Sequence, residues 1–191
     1  MSTSNSGAAD AHLMTRALAI IVLALLAIGC AREIVAYPPH WAPINTRSDC
    51  YAVAGTYEEK GERAYDGPRG GFLRFTHLAT YNEVDFRGPH VTLSFPEPGV
   101  FLIQAGGERR FHVEKGEAAC DSGHLALRRS SHGPTMAGPA WSYETVALTR
   151  SIDGWLIAKW ERTEWLLLGF FIPTYSLIRE WYRFGPVPQA K

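Results

Sequence analysis

Residues 91–105 read Val91-Thr92-Leu93-Ser94-Phe95-Pro96-Glu97-Pro98-Gly99-Val100-Phe101-Leu102-Ile103-Gln104-Ala105. Val91, Leu93 and Phe95 alternate with Thr92 and Ser94. This is the period of two that sets successive side chains on opposite faces of a strand. Two prolines and a glycine then fall within four residues, a turn signal, and 100–105 is the returning strand. The stretch is therefore expected to be a β-hairpin with one face in a core.

The same alternation continues toward the C-terminus. Gly106-Gly107 marks a second turn. Residues 109–115 place Phe111 and Val113 inward and Arg110, His112 and Glu114 outward. Asp121-Ser122-Gly123 follows Cys120 as a further turn, after which Leu125 and Leu127 alternate with His124, Ala126 and Arg128. Residues 129–140, rich in Ser, Gly and Pro, read as a long loop. A strand over 145–150, the hairpin signal Asp153-Gly154, its partner over 155–162 and a last strand over 177–184 complete the pattern. Toward the N-terminus, 51–57 reads as a first strand with Tyr51, Val53, Gly55 and Tyr57 on one face. The charged, Gly-rich 58–71 reads as a loop. Phe72, Phe75 and Ala79 have helical spacing and predict one short helix over 72–79, with a strand as the alternative. The expected fold class is all-β: an antiparallel meander of seven or eight strands closing into a barrel or half-barrel.

Composition agrees. Aromatics make up 12% of the 191 residues, with six Trp and twelve Pro, a mixture that favours strands and turns over helices. Lys plus Arg and Asp plus Glu number 19 each, so net charge gives no electrostatic case for nucleic acid as a partner.

The N-terminus carries a different signal. Residues 17–28 form an uncharged run, preceded by Arg16 and closed by Gly29-Cys30, with Asp10 the one other charged residue before it. A positive flank, a short apolar stretch and small residues at its end make a secretory signal, helical over 1–29. At 1.5 Å per residue the run spans about 18 Å, short of the ~30 Å of a bilayer core.

Ala27-Ile28-Gly29-Cys30 resembles the lipobox of bacterial lipoproteins, with Ala27 where that family usually has Leu. The resemblance implies that Cys30 is lipidated and becomes the first mature residue. Ala31 in place of Asp resembles members sent to the outer membrane, facing the periplasm. The expected organisation is a signal peptide over 1–29, Cys30 and a tether over 30–49, and one β domain over 50–191. Pro38, Pro39 and Pro43 make the tether a semi-stiff spacer. With Cys30 assigned to lipid, Cys50 and Cys120 remain. In an exported chain that pair reads as a disulfide, with two separate buried thiols as the alternative.

A second resemblance lies at the two ends of the β domain. Gly55-Thr56-Tyr57 and Trp181-Tyr182-Arg183-Phe184 are similar to the calycin pattern of lipocalins and fatty-acid-binding proteins. There an aromatic on the first strand meets an Arg on the last. Tyr57 with Arg183 or Arg179 stands in that place, and the resemblance implies a carrier of a small apolar ligand.

Residues 165–178 contain no charged side chain. Leu166 and Leu168 are expected in the core. Phe170, Phe171 and Ile172, beside the Pro173 break, are the candidates for contact with a membrane or ligand. The seven histidines share no local motif with Ser, Cys or Asp, and Ser130-Ser131-His132 falls in the expected loop. There is no Cys-x-x-Cys, His-x-x-x-His, Gly-x-Ser-x-Gly or Gly-x-x-x-x-Gly-Lys, so no catalytic residue, metal or cofactor is assigned. The expected function is non-catalytic, a structural or interaction role at the envelope. Its partners would be the membrane, through the anchor, and an envelope protein. A calycin-like carrier and a hydrolase with an unrecognised site are the alternatives.

Overall fold

A computed structural model of the chain describes residues 30–46, 49–64, 73–80, 88–105, 107–112, 116–121, 123–169 and 172–188. The expected signal helix and both Phe170 and Phe171 lie outside these residues. The strands are β1 (Cys30–Ile34), β2 (Gly55–Glu58), β3 (Lys60–Arg63), β4 (Leu73–Arg74), β5 (His90–Glu97), β6 (Val100–Gln104), β7 (Glu108–His112), β8 (Ala118–Asp121), β9 (His124–Thr135), β10 (Gly138–Arg150), β11 (Leu156–Leu168) and β12 (Ile172–Phe184). A 3-10 turn, Cys50–Val53, precedes β2, and a single α-helix among the described residues, α1 (Phe75–Thr80), follows β4.

The fold is all-β, as expected, but its sheets do not close. A small sheet runs β2-β5-β6-β7. A large one runs β4-β3-β12-β11-β10-β9-β8, with β1 parallel to β12 and every other pair antiparallel. The expected hairpin is β5–β6. Its inward set, Val91, Leu93, Phe101 and Ile103, faces Leu125, Leu127, Val146, Leu148, Leu156, Tyr182 and Phe184 of the large sheet. α1 contributes Phe75, whose ring meets Phe184 edge-on at 5.2 Å. Each such ring contributes roughly 1.5–3 kcal/mol by leaving water. Gly61 on β3 is required by this packing, because a Cβ there would overlap the Phe184 ring.

Five expectations change. The first strand starts at Gly55, because 50–53 winds into the 3-10 turn capped by Asp49, whose carboxylate accepts from the Ala52 N–H at 3.0 Å. Part of the expected loop 58–71 is strand β3. The short helix begins at Phe75, with β4 ahead of it. The long loop expected over 129–140 is instead the outer half of β9, a turn, and the start of β10. The prolines are accommodated there because Pro134 lies where β9 is an edge strand and Pro139 lies at the start of β10.

The fifth change concerns the tether. β1 pairs with β12 in register, Cys30 opposite Tyr175 and Ile34 opposite Arg179. The chain then crosses the outer face of the large sheet. Trp181 Nε1 donates to the Val35 carbonyl at 3.1 Å, and Tyr37 stacks edge-on against Trp181 at 5.1 Å. Trp41 is buried beneath the Arg183 guanidinium, 5.0 Å from its ring. Asn45 N–H reaches the Arg150 carbonyl at 2.8 Å. The chain turns over 38–41, where the Trp41 N–H donates to the Pro38 carbonyl at 3.1 Å, and aromatic burial holds the segment against the domain, so it does not act as a spacer.

β9 has 12 residues and β10, β11 and β12 have 13 each, about 43 Å of strand for the longest. Only one half of each meets the small sheet. The apolar core cluster stops at Leu127, Val146, Ala158 and Tyr182, with Trp160 packed against it. The other halves form a four-stranded blade that continues past the core.

Candidate functional site

The blade is where the chemistry-bearing side chains gather. Register fixes its rows. His132, Trp141, Trp165 and Tyr175 lie directly opposite one another across β9, β10, β11 and β12, and Cys30 follows on β1. Strand alternation puts Tyr143, Leu167, Pro173 and Leu177 on the same outer face. The Trp165 and Tyr175 rings stand 4.8 Å apart. A groove of about 340 Å³ is lined by Trp141, Tyr143, Trp165, Leu166, Leu167 and Pro173. Trp141 is 41% exposed and Trp165 47%. At the end of the blade the Gly169 N–H donates to the Ala137 carbonyl at 2.8 Å, tying the two hairpin tips together. Gly169 turns with φ of 57°, the left-handed region where a side chain is strained.

Leu168, expected in the core, is 43% exposed at this tip, and Leu166 is half-buried in the groove wall. Neither has a second sheet to face. Ile172, opposite Leu168, is half-buried as well. The aromatic row thus contains Trp165 and Tyr175 from the apolar stretch but also Trp141, with Tyr143 beside it on the same face, which sequence reasoning did not single out. Their one sequence signal is aromatic residues on either side of two apolar turns. Adjacency itself requires the strand register.

The inner face of the blade is charged. Glu144, 4% exposed, accepts from Arg129 Nε at 2.7 Å and Nη2 at 2.6 Å and lies 3.6 Å from Arg162 Nη1. Arg162 reaches Glu164 at 3.2 Å. A cleft of about 280 Å³ opens beside Glu144, with Arg109, Phe111, Glu117 and Leu127 in its wall. Glu117 accepts from the His112 N–H at 3.1 Å. Both carboxylates of the cleft are therefore engaged by neighbouring donors. Ser131 is hydrogen-bonded to Ser142 at 2.7 Å across the strands. Among the described residues no three His, Cys, Asp or Glu side chains are grouped to hold a metal ion, and no helix is long and apolar enough to cross a membrane.

Cys50 and Cys120 are joined, with Cα atoms 5.6 Å apart. The bond links the 3-10 turn leading into the small sheet to β8, the edge of the large one. The two ends of the domain do meet, but not through Arg183. Tyr57 bridges Pro186, the Val187 N–H donates to the Thr56 carbonyl at 2.9 Å, and the Tyr57 hydroxyl donates to the Val53 carbonyl at 3.1 Å. Arg183 lies instead between the Trp41 and Trp155 rings and pairs with Glu62 at 2.6 Å. Arg179 pairs with Glu161.

Glu59 is a buried acid that the sequence did not flag. Its Oε1 accepts from the Thr76 N–H at 3.1 Å and from the Thr76 hydroxyl, capping α1, while Oε2 has no hydrogen-bond partner among the described residues. Burial pushes this carboxyl above the usual range, and the Thr76 hydrogen bonds and Arg74 oppose the shift only in part. A raised folded value means the protonated form favours the fold. That stability is present below about pH 4.5 and is lost as pH rises through the folded value. Denaturant midpoints followed from pH 4 to 8 should fall for the natural protein more than for Glu59→Gln, which keeps the cap without the charge. Parallel curves would refute this.

In comparisons with known proteins, the chain matches no family model, no curated protein and no solved structure.

Proposed function

We propose that this protein is a lipid-anchored component of the bacterial cell envelope with a non-catalytic, structural or interaction role. It is held through Cys30 in the outer membrane and faces the periplasm. The observation that carries the reading is the uncharged run over 17–28 ending in Gly29-Cys30. A disulfide-bonded β domain supports it, because such bonds persist in oxidising compartments. So does a core filled by Tyr57, Phe75, Phe101 and Phe184. A filled core favours an interaction surface over an internal ligand chamber.

Intact mass of the protein extracted from membranes decides it. The mature chain is expected to begin at Cys30 and to carry acyl mass, and Cys30→Ser is expected to accumulate with residues 1–29 still attached. A mature chain that starts elsewhere, or an unmodified Cys30, rejects the anchor.

A further inference from the structure

We infer that the end of the β9–β12 blade is a membrane-interface surface, seated in the headgroup-to-acyl boundary of the bilayer that carries Cys30. The inference deepens the anchored reading and rests on it, since the anchor places a bilayer at this end. The register supplies the geometry. Tyr175, Trp165 and Trp141 form a row that begins beside Cys30 and runs perpendicular to the strands. Four strand spacings make the row from Cys30 to His132 about 19 Å wide.

Its composition matches a bilayer boundary. Tryptophan and tyrosine favour that depth because each ring has an apolar body and a polar N–H or O–H. Beyond the row lie Leu166, Leu167 and Leu168, reaching about 10 Å further, the depth an interfacial element buries. No Asp, Glu, Lys or Arg occurs in 133–141 or in 165–178. Charge resumes on the far side of the row, at Glu164 with Arg162 and at Arg179 with Glu161. The ordering along the strands is apolar tip, aromatic row, ion pairs. A soluble partner protein does not require that order, and a bilayer does.

The position of Cys30 favours the bilayer over a second copy of this chain. Residue 30 is hydrogen-bonded into the blade, with no length of chain between it and the aromatic row. An acyl chain attached there holds this end at the membrane and leaves no room for a protein layer between.

The test uses the full chain extracted from membranes and reconstituted in vesicles of phosphatidylethanolamine and phosphatidylglycerol with brominated acyl chains. Bromine quenches only tryptophans at acyl depth. The natural protein should be quenched, and the variant Trp141→Phe with Trp165→Phe should lose that quenching. The four remaining tryptophans are Trp41, Trp155, Trp160 and Trp181. Trp160, the one nearest along β11, lies about 17 Å from the row. Quenching that persists in the variant overturns the assignment of this face. Absence of quenching with Cys30 acylated overturns the inference and leaves the anchor standing. Quenching with Cys30 unmodified sinks the anchor and keeps the surface. A detergent-solubilised dimer whose row is shielded from both lipid and water assigns the face to a second copy and overturns the bilayer.

Discussion

Cys50→Ala combined with Cys120→Ala lowers the unfolding free energy by about 4 kcal/mol. The bond closes a loop of 70 residues, and the chain entropy it removes from the unfolded state gives that figure. Against a total of about 5–15 kcal/mol the loss is severe, a drop in Tm of roughly 8–16 °C. The place of the bond adds a second consequence. It ties the entry to β2 in the small sheet to edge strand β8 of the large one, so the two layers lose their covalent link. Both cysteines are replaced so that no lone thiol is left. Thermal melts by near-ultraviolet circular dichroism, with and without reductant, provide the measurement. Identical midpoints for the natural and double-alanine proteins would show that the bond constrains nothing.

Glu180→Ala is expected to cost about 3–5 kcal/mol, the range for stripping one partner from a buried ion pair. Glu180 accepts from both the Arg63 guanidinium and the Tyr182 hydroxyl, and the Glu180 and Arg63 side chains are only 6% and 13% exposed. Burial first, then the hydrogen bond to Glu180, pushes the Tyr182 hydroxyl well above its ordinary value, so it stays a donor. Removing the carboxylate takes away a partner of the guanidinium and of that hydroxyl where β3 joins β12. The paired change Glu180→Leu with Arg63→Leu should recover part of the loss, because two apolar side chains need no partners while the Tyr182 hydroxyl still lacks its acceptor. Urea denaturation of the single and double variants reads this directly. A single variant within 1 kcal/mol of the natural protein shows the pair to be solvated.

The same physics explains what could be read early. β5 and the core-side half of β12 alternate in burial, whereas β6 and the core-side parts of β9, β10 and β11 are buried on both faces. The alternation of Phe111, Leu125 and Leu127 with polar or small neighbours and the Asp153-Gly154 turn were legible in the sequence all the same. The outer halves of β9 to β12 do not alternate. Residues 129–140 are small and polar and 165–178 apolar on both faces, so the first read as loop and the second as core plus turn. They are strands because each has a neighbour to pair with, a non-local fact that periodicity does not record. Leu168 shows the cost of that blindness. Its hydrophobicity suggested burial, but no second sheet reaches the blade to bury it.

The sequence by itself determined the all-β class, the β5–β6 hairpin, the short helix near Phe75 and the pairing of Cys50 with Cys120. These depend on local alternation, on turn residues or on counting. Tertiary structure alone decided the rest. It left the sheets open, laid residues 30–45 onto the domain through β1, Trp41 and Tyr37, and turned Arg183 away from Tyr57. It also brought Trp141, Trp165 and Tyr175 into one row beside Cys30. Trp141 and Trp165, 24 positions apart, and Trp165 and Tyr175, 10 apart, become neighbours only through strand register, and register is set by all the strands pairing at once.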